Sequence, residues 1–181
     1  MSESGISIEA TLPLDWLPAD SLLPASIESM RQDNIALLQA LAAMDGLSHE
    51  HEHDTPEAGA AKRLERMESL LDIVLILVAG MARQTAPLPP EKLVRLYSNS
   101  IVWQENTKPP QIGQPVLVRL FLNQRIPQPL QLRCVVKEVG NLPESVHAMA
   151  MFDNCGEEMD EWLTRTIFRY HRRALHARRQ P

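Results

Sequence analysis

The stretch Gly113-Gln-Pro-Val-Leu-Val-Arg-Leu-Phe-Leu-Asn-Gln-Arg-Ile-Pro-Gln-Pro-Leu-Gln-Leu-Arg-Cys-Val-Val136 decides the fold. Val116, Val118, Leu120 and Leu122 occupy every second position, and Leu130, Leu132, Cys134 and Val136 do so again. Period two puts each set on one face of a strand. The Pro- and Asn-containing residues between the sets supply the turn. The same rhythm continues on both sides. Val94 and Leu96 alternate, Ile101 and Trp103 follow a Ser-Asn-Ser turn, and Val146, Ala148, Ala150 and Phe152 form a further run. Short strands at this spacing predict a small antiparallel barrel. A final helix follows, with Met159, Trp162, Leu163, Thr166, Ile167 and Tyr170 on one face. Arg165, Arg169, Arg172, His176 and Arg179 share the other.

Before Pro90 the period is three and four. Leu64, Met67, Leu71, Val74, Val78 and Met81 form one seam, and Ile27, Met30, Asn34, Leu37, Leu41 and Met44 form another with one polar interruption. This is the heptad pattern, and such a seam must meet another helix, in this chain or in a second copy. The chain is therefore expected to be α+β: long heptad-repeat helices forming an oligomeric coiled coil or helix bundle, then the barrel with its C-terminal helix. The boundaries follow the breakers. Residues 1–23 read as an extension whose short strand, Ile6 to Leu12, ends at Pro13. Residues 24–86 read as a helical oligomerisation region, and 91–181 as the barrel with a basic last helix. Leu70, Leu75 and Leu77 widen the second seam, which favours more than two helices and a homo-oligomer, a tetramer foremost. An intrachain helix hairpin is the alternative. Asn34 reads either as a register-setting residue or as a polar residue that reaches water.

The 23 acidic residues exceed the 18 basic ones, which argues against a nucleic-acid binder. The most apolar window, Leu70 to Ala82, is shorter than the roughly 20 residues of a membrane span. The opening residues lack a basic start and an apolar stretch, so no signal peptide is expected and the reading is cytoplasmic. Cys134 and Cys155 give neither a disulfide framework nor a zinc spacing. His49-Glu-His-Glu-His-Asp54 could offer imidazoles to zinc or nickel, yet it sits in a polar loop with nothing to orient the ligands. It is read as a solvated loop, with no metal and no cofactor. Ser98 and Ser100 lack a nucleophile-elbow setting, and the seven glycines form no phosphate loop. Glu157, Glu158, Asp160 and Glu161 crowd a helix start, where the macrodipole accounts for them. No enzyme is expected.

The order of elements after Pro90 resembles the PilZ domain. A hairpin leads to Gly113–Leu120, then to the proline-flanked Pro129–Val136, then to Ala148-Met-Ala-Met-Phe152 before an amphipathic helix ending Ile167-Phe-Arg-Tyr-His-Arg-Arg173. The resemblance implies a six-stranded barrel closed by a helix, in a family whose usual task is to bind cyclic di-GMP. That binding uses an Arg-x-x-x-Arg stretch before the first strand and an Asp/Asn-x-Ser-x-x-Gly turn. Here Gln84 to Glu91 holds no arginine, Arg83 and Arg95 stand far apart, and the hairpin Leu96-Tyr-Ser-Asn-Ser-Ile101 has neither the acid nor the glycine. With the preceding heptads, the chain is similar to the oligomeric PilZ proteins of xanthomonads, in which heptad helices build a tetramer and direct cyclic di-GMP binding is lacking. The resemblance thus implies a signalling adaptor that meets a signalling or type IV pilus protein. The alternative is an effector that binds cyclic di-GMP at a non-standard site, with Arg165 or Arg169 as phosphate partners. Arg165, Arg169 and Arg172 are the candidate partner or phosphate residues.

Overall fold

The computed structural model describes residues 6–19, 24–46, 63, 66–67, 69–71, 73–74, 88–105, 108–123, 126, 128–142 and 145–177. Six strands carry the alternating residues: β1 (Ile8–Pro18), β2 (Glu91–Leu96), β3 (Ser100–Glu105), β4 (Pro115–Leu120), β5 (Leu130–Leu142) and β6 (Ser145–Phe152). The helix α1 (Pro24–Gly46) lies between β1 and β2 in the chain, and α2 (Glu157–Ala177) follows β6. The strands close into an antiparallel barrel in the order β1-β2-β3-β6-β5-β4. Closure removes free sheet edges. The period-two residues point inward as expected. Val116, Val118, Leu120, Leu130, Leu132, Cys134, Val136, Ile101, Trp103, Ala148 and Ala150 are all fully buried.

The first strand differs from the sequence expectation. It does not end at Pro13 but runs for 11 residues. Pro13 sits where β1 changes partner: Ile8–Pro13 pair with β2, and Leu14–Pro18 pair with β4. A proline offers no N–H, so it is tolerated where a strand leaves one ladder for another. Its carbonyl is still used, accepting from the Phe121 N–H at 3.0 Å. The residues read as an N-terminal extension therefore supply the strand that closes the barrel.

Two turns need a positive φ. Gly113 (φ 82°) stands in the turn that brings the Gln114 N–H to the Gln111 carbonyl before β4. Gly156 (φ 84°) precedes α2, whose Asp160 N–H returns to the Gly156 carbonyl. The first turn of α2 carries Glu157, Glu158 and Asp160 at the positive end of its dipole. The apolar face of α2 packs as the spacing predicted. Met159, Leu163, Thr166 and Ile167 are buried, and Trp162 and Tyr170 lie against the same core.

Candidate functional site

The two heptad seams meet different surroundings. In α1, Asn34, Leu37 and Leu41 are buried and Ile27 and Met30 are half-buried. Leu37 and Leu41, with the neighbouring Leu38, join the barrel core. The polar interruption explains how α1 docks. Asn34 Nδ2 donates to the Gln131 carbonyl at 2.7 Å, and the Gln131 N–H donates to Asn34 Oδ1 at 2.8 Å. Pairing of β5 with β6 ends at Cys134 and Phe152. One residue of α1 thus takes both main-chain groups of a strand where β6 has already ended. A second link lies at the neighbouring residue, where Gln128 Nε2 donates to the Asp33 carbonyl at 3.1 Å. Asn34 therefore neither sets a coiled-coil register nor reaches water. Asn34, Leu37 and Leu41 are buried inside one chain, where α1 packs on α2 as well as on the edge of β5 and Asn34 also reaches Met159 Sδ at 3.6 Å.

The second seam is bare where it is described. Met67, Leu71 and Val74 are on helical backbone with 60%, 60% and 51% of their surface exposed, beside exposed Leu70. Ile73, further round, is buried. Leu64, Val78 and Met81, the side chain of Met44, and the His49–Asp54 run lie outside the described residues.

On α2 the three candidate arginines are not equivalent. Arg165 is exposed, bridges Glu161 at 2.5 Å and lies 5.4 Å from the Trp162 ring centre. Arg172 is exposed. Arg169 is half-buried and donates to Oγ1 of the buried Thr166 at 3.1 Å.

Two cavities border the β2–β3 hairpin region. The larger, about 530 Å³, lies over Leu93, Val102 and Met149 and is edged by Glu9, Arg95, Gln104, Glu138 and His147. Its guanidinium is already engaged: Arg95 Nε and Nη2 both donate to Glu9 Oε2, at 3.1 and 2.8 Å. This pairing, foremost, holds the Arg95 guanidinium more firmly protonated than usual. The His147 imidazole packs closely on Gly140, where a Cβ would stand 2.2 Å from its Cε1. The bulge between Val136 and Glu138 brings Gly140 opposite His147. The smaller cavity, about 310 Å³, is formed by the hairpin residues Ser98 and Asn99 with Met151, Phe152 and the start of α2, including Glu157 and Asp160. Its lining carries carboxylates and no lysine or arginine among the described residues. Partial burial raises the Asp160 carboxyl above its ordinary range.

One polar cluster was not singled out in the sequence. Glu105, wholly buried, accepts on Oε2 from Trp16 Nε1 (2.9 Å), Lys92 Nζ (2.8 Å) and Trp103 Nε1 (3.4 Å). It ties β1, β2 and β3 together inside the barrel. The signal was present: Glu105 continues the inward alternation of Ile101 and Trp103.

The closed six-stranded barrel with its terminal helix defines a PilZ-type protein. Residues 38–180 match the atypical PilZ domain family, described as a cyclic di-GMP receptor, and the chain belongs to that family. A solved structure from Xanthomonas campestris, described as a new tetrameric PilZ domain self-assembled via an unusual helical bundle, is similar over 97% of this chain and 93% of its own, with a TM-score of 0.70 and 22% identity. At that identity the likeness speaks for the fold. No curated protein sequence matches the chain.

Proposed function

We propose that this protein is a non-enzymatic, self-assembling PilZ-domain adaptor of the cytoplasm that acts by protein–protein contact and does not bind cyclic di-GMP directly. The observation that carries the reading is the bare seam of Met67, Leu71 and Val74. Burying a side chain of this kind is worth about 1.5–3 kcal/mol, so a row of them on a helix favours a second copy of the same row. The breadth of the face, with Leu70 alongside, suits a bundle of more than two helices. The tetrameric Xanthomonas campestris protein supports the same assembly. Residues 60–84 would form the bundle, and the barrel would present its surface to a signalling or pilus protein, a link that rests on the family resemblance.

The chemistry near the hairpin supports the absence of direct ligand binding. Two phosphates need convergent guanidinium forks. The smaller cavity offers Glu157 and Asp160 instead, and Arg95 in the larger one is bound by Glu9. The family description favours the second reading, direct binding of cyclic di-GMP in the larger cavity. Light scattering at micromolar concentration tests the first reading, with a mass of four chains expected and a single-chain mass opposed to it. Calorimetry with cyclic di-GMP decides between the two: no heat is expected, and submicromolar affinity would establish the second.

A further inference from the structure

The last twenty residues hold six of the 18 lysines and arginines and none of the 23 aspartates and glutamates. Within the described part of this stretch, the outward face of α2 also bears an aromatic ring. Phe168 is 51% exposed on a helix where Met159, Trp162, Leu163, Ile167 and Tyr170 face the core. Arg165 stands three residues before it and Arg172 four after, which places both beside the ring. Arg165 lies against the Trp162 ring and pairs with Glu161 on the same helix, so a partner carboxylate would take the place of Glu161 in a weak, exposed pair. The result is an exposed phenyl ring on a helix face shared with two exposed arginines.

The geometry points to this face of α2, centred on Arg165, Phe168 and Arg172, as the docking surface for a short acidic protein segment carrying an apolar anchor residue. The occupant follows from charge. Arginine pairs well with carboxylates, and an exposed aromatic ring among arginines suits an apolar side chain between them. A long polyanion or an anionic bilayer would extend beyond the basic stretch. It would then meet the rest of the chain, where 12 basic residues stand against all 23 acidic ones. It would also meet Glu157, Glu158 and Asp160 on the first turn of the same helix. A short segment limits that repulsion to Glu161, since charges beyond about 10 Å are screened at ordinary salt. The inference deepens the adaptor reading by giving its partner a chemistry, and it rests on that reading.

The test uses the full chain and labelled twelve-residue peptides, one of alternating Glu and Leu and one of Glu alone, followed by fluorescence anisotropy at about 0.1 M salt. The Glu/Leu peptide is expected to bind more tightly than the Glu peptide. Arg165→Glu with Arg172→Glu should weaken both at least tenfold. Phe168→Ser should weaken the Glu/Leu peptide severalfold and leave the Glu peptide unchanged. Equal binding by wild type and the charge-reversed variant would overturn the proposal. Tighter binding to phosphatidylserine vesicles or to duplex DNA than to either peptide would also overturn it. Melting temperature and light-scattering mass, taken on the same samples, show that each variant stays folded. They also separate the two readings: a single-chain mass with peptide binding intact would defeat self-assembly and leave the docking face standing.

Discussion

Two segments of this chain share one spacing and meet opposite ends. The seam of α1 is closed over by α2 and the barrel of its own chain, whereas the described part of the second seam, Met67, Leu71 and Val74, faces solvent. Spacing states that a face must be covered and is silent on what covers it. The distinguishing mark is the polar member. Asn34 fits a strand's unpaired main chain, which presents one donor and one acceptor side by side, as an amide does. The second seam has no such residue, and a helix is the partner that its wholly apolar members suit.

The largest effect should come from placing a charge in each seam. Leu37→Asp with Leu41→Asp should unfold or aggregate the protein, because an unpaired charge inside the core costs several kcal/mol against a total stability of about 5–15. Leu71→Asp with Val74→Asp should reduce the light-scattering mass to one chain while the circular dichroism melt of the barrel persists. A folded monomer from the α1 pair would break the comparison and return α1 to the assembly.

Asn34→Ala is the next step down. It leaves the N–H and carbonyl of Gln131 without their partner, and a buried group so stranded costs about 1–3 kcal/mol. Thermal melts should show a loss of that size with the oligomer mass unchanged. A change in mass instead of stability would restore the register-setting role for Asn34.

The barrel was legible because period two survives any partner: the inward residues of β3, β4 and β6, and those of β5 up to the bulge after Val136, are named by their parity. Three features were not. The length of β1 hinged on Pro13, and a proline at a change of ladder looks in sequence like a proline that ends a strand. The docking of Asn34 depends on where β6 stops, more than a hundred residues away in the chain. Glu105 had the right parity, but its burial depends on Lys92 and Trp16 converging from two other strands. Pairings distant in sequence leave no local trace. On the candidate site, the missing arginines and glycine of the dinucleotide signature were readable directly, whereas the pairing of Arg95 by Glu9 across β1 and β2 was not.

Cys155 offers a finer probe of α1. It shares a small crevice with Ile27, Met30, Arg31 and Asn34, and burial, above all, pushes its thiol up to about 11. Burial pushes Cys134 up further. The thiolate is the reactive form, so at pH 8 Cys155 should alkylate about a hundredfold more slowly than a free thiol, and Cys134 more slowly still. Mass spectrometry of iodoacetamide-treated protein measures this. Asn34→Ala should speed the Cys155 reaction severalfold by loosening α1, and Leu71→Asp should leave it unchanged. Equal acceleration by both would mean that the two seams are coupled and the contrast between them is overdrawn.

The smallest effects divide α2 in the same way that the seams divide the helical region, into residues the chain uses itself and residues it presents outward. Arg165 and Arg172 are exposed, and exposed ion pairs contribute about 0–1 kcal/mol. Arg165→Ala with Arg172→Ala should therefore leave the melting temperature nearly where it was. Arg169 was grouped with them by spacing, but it is half-buried and its guanidinium donates to the buried Thr166 hydroxyl. Losing such a bond costs about 1 kcal/mol, so Arg169→Ala alone should lower the midpoint by about 2–4 °C in a chain of this size. Differential scanning calorimetry resolves that difference. If the exposed pair melts the protein as much as Arg169→Ala does, the outward face of α2 belongs to the fold and is not free to meet a partner.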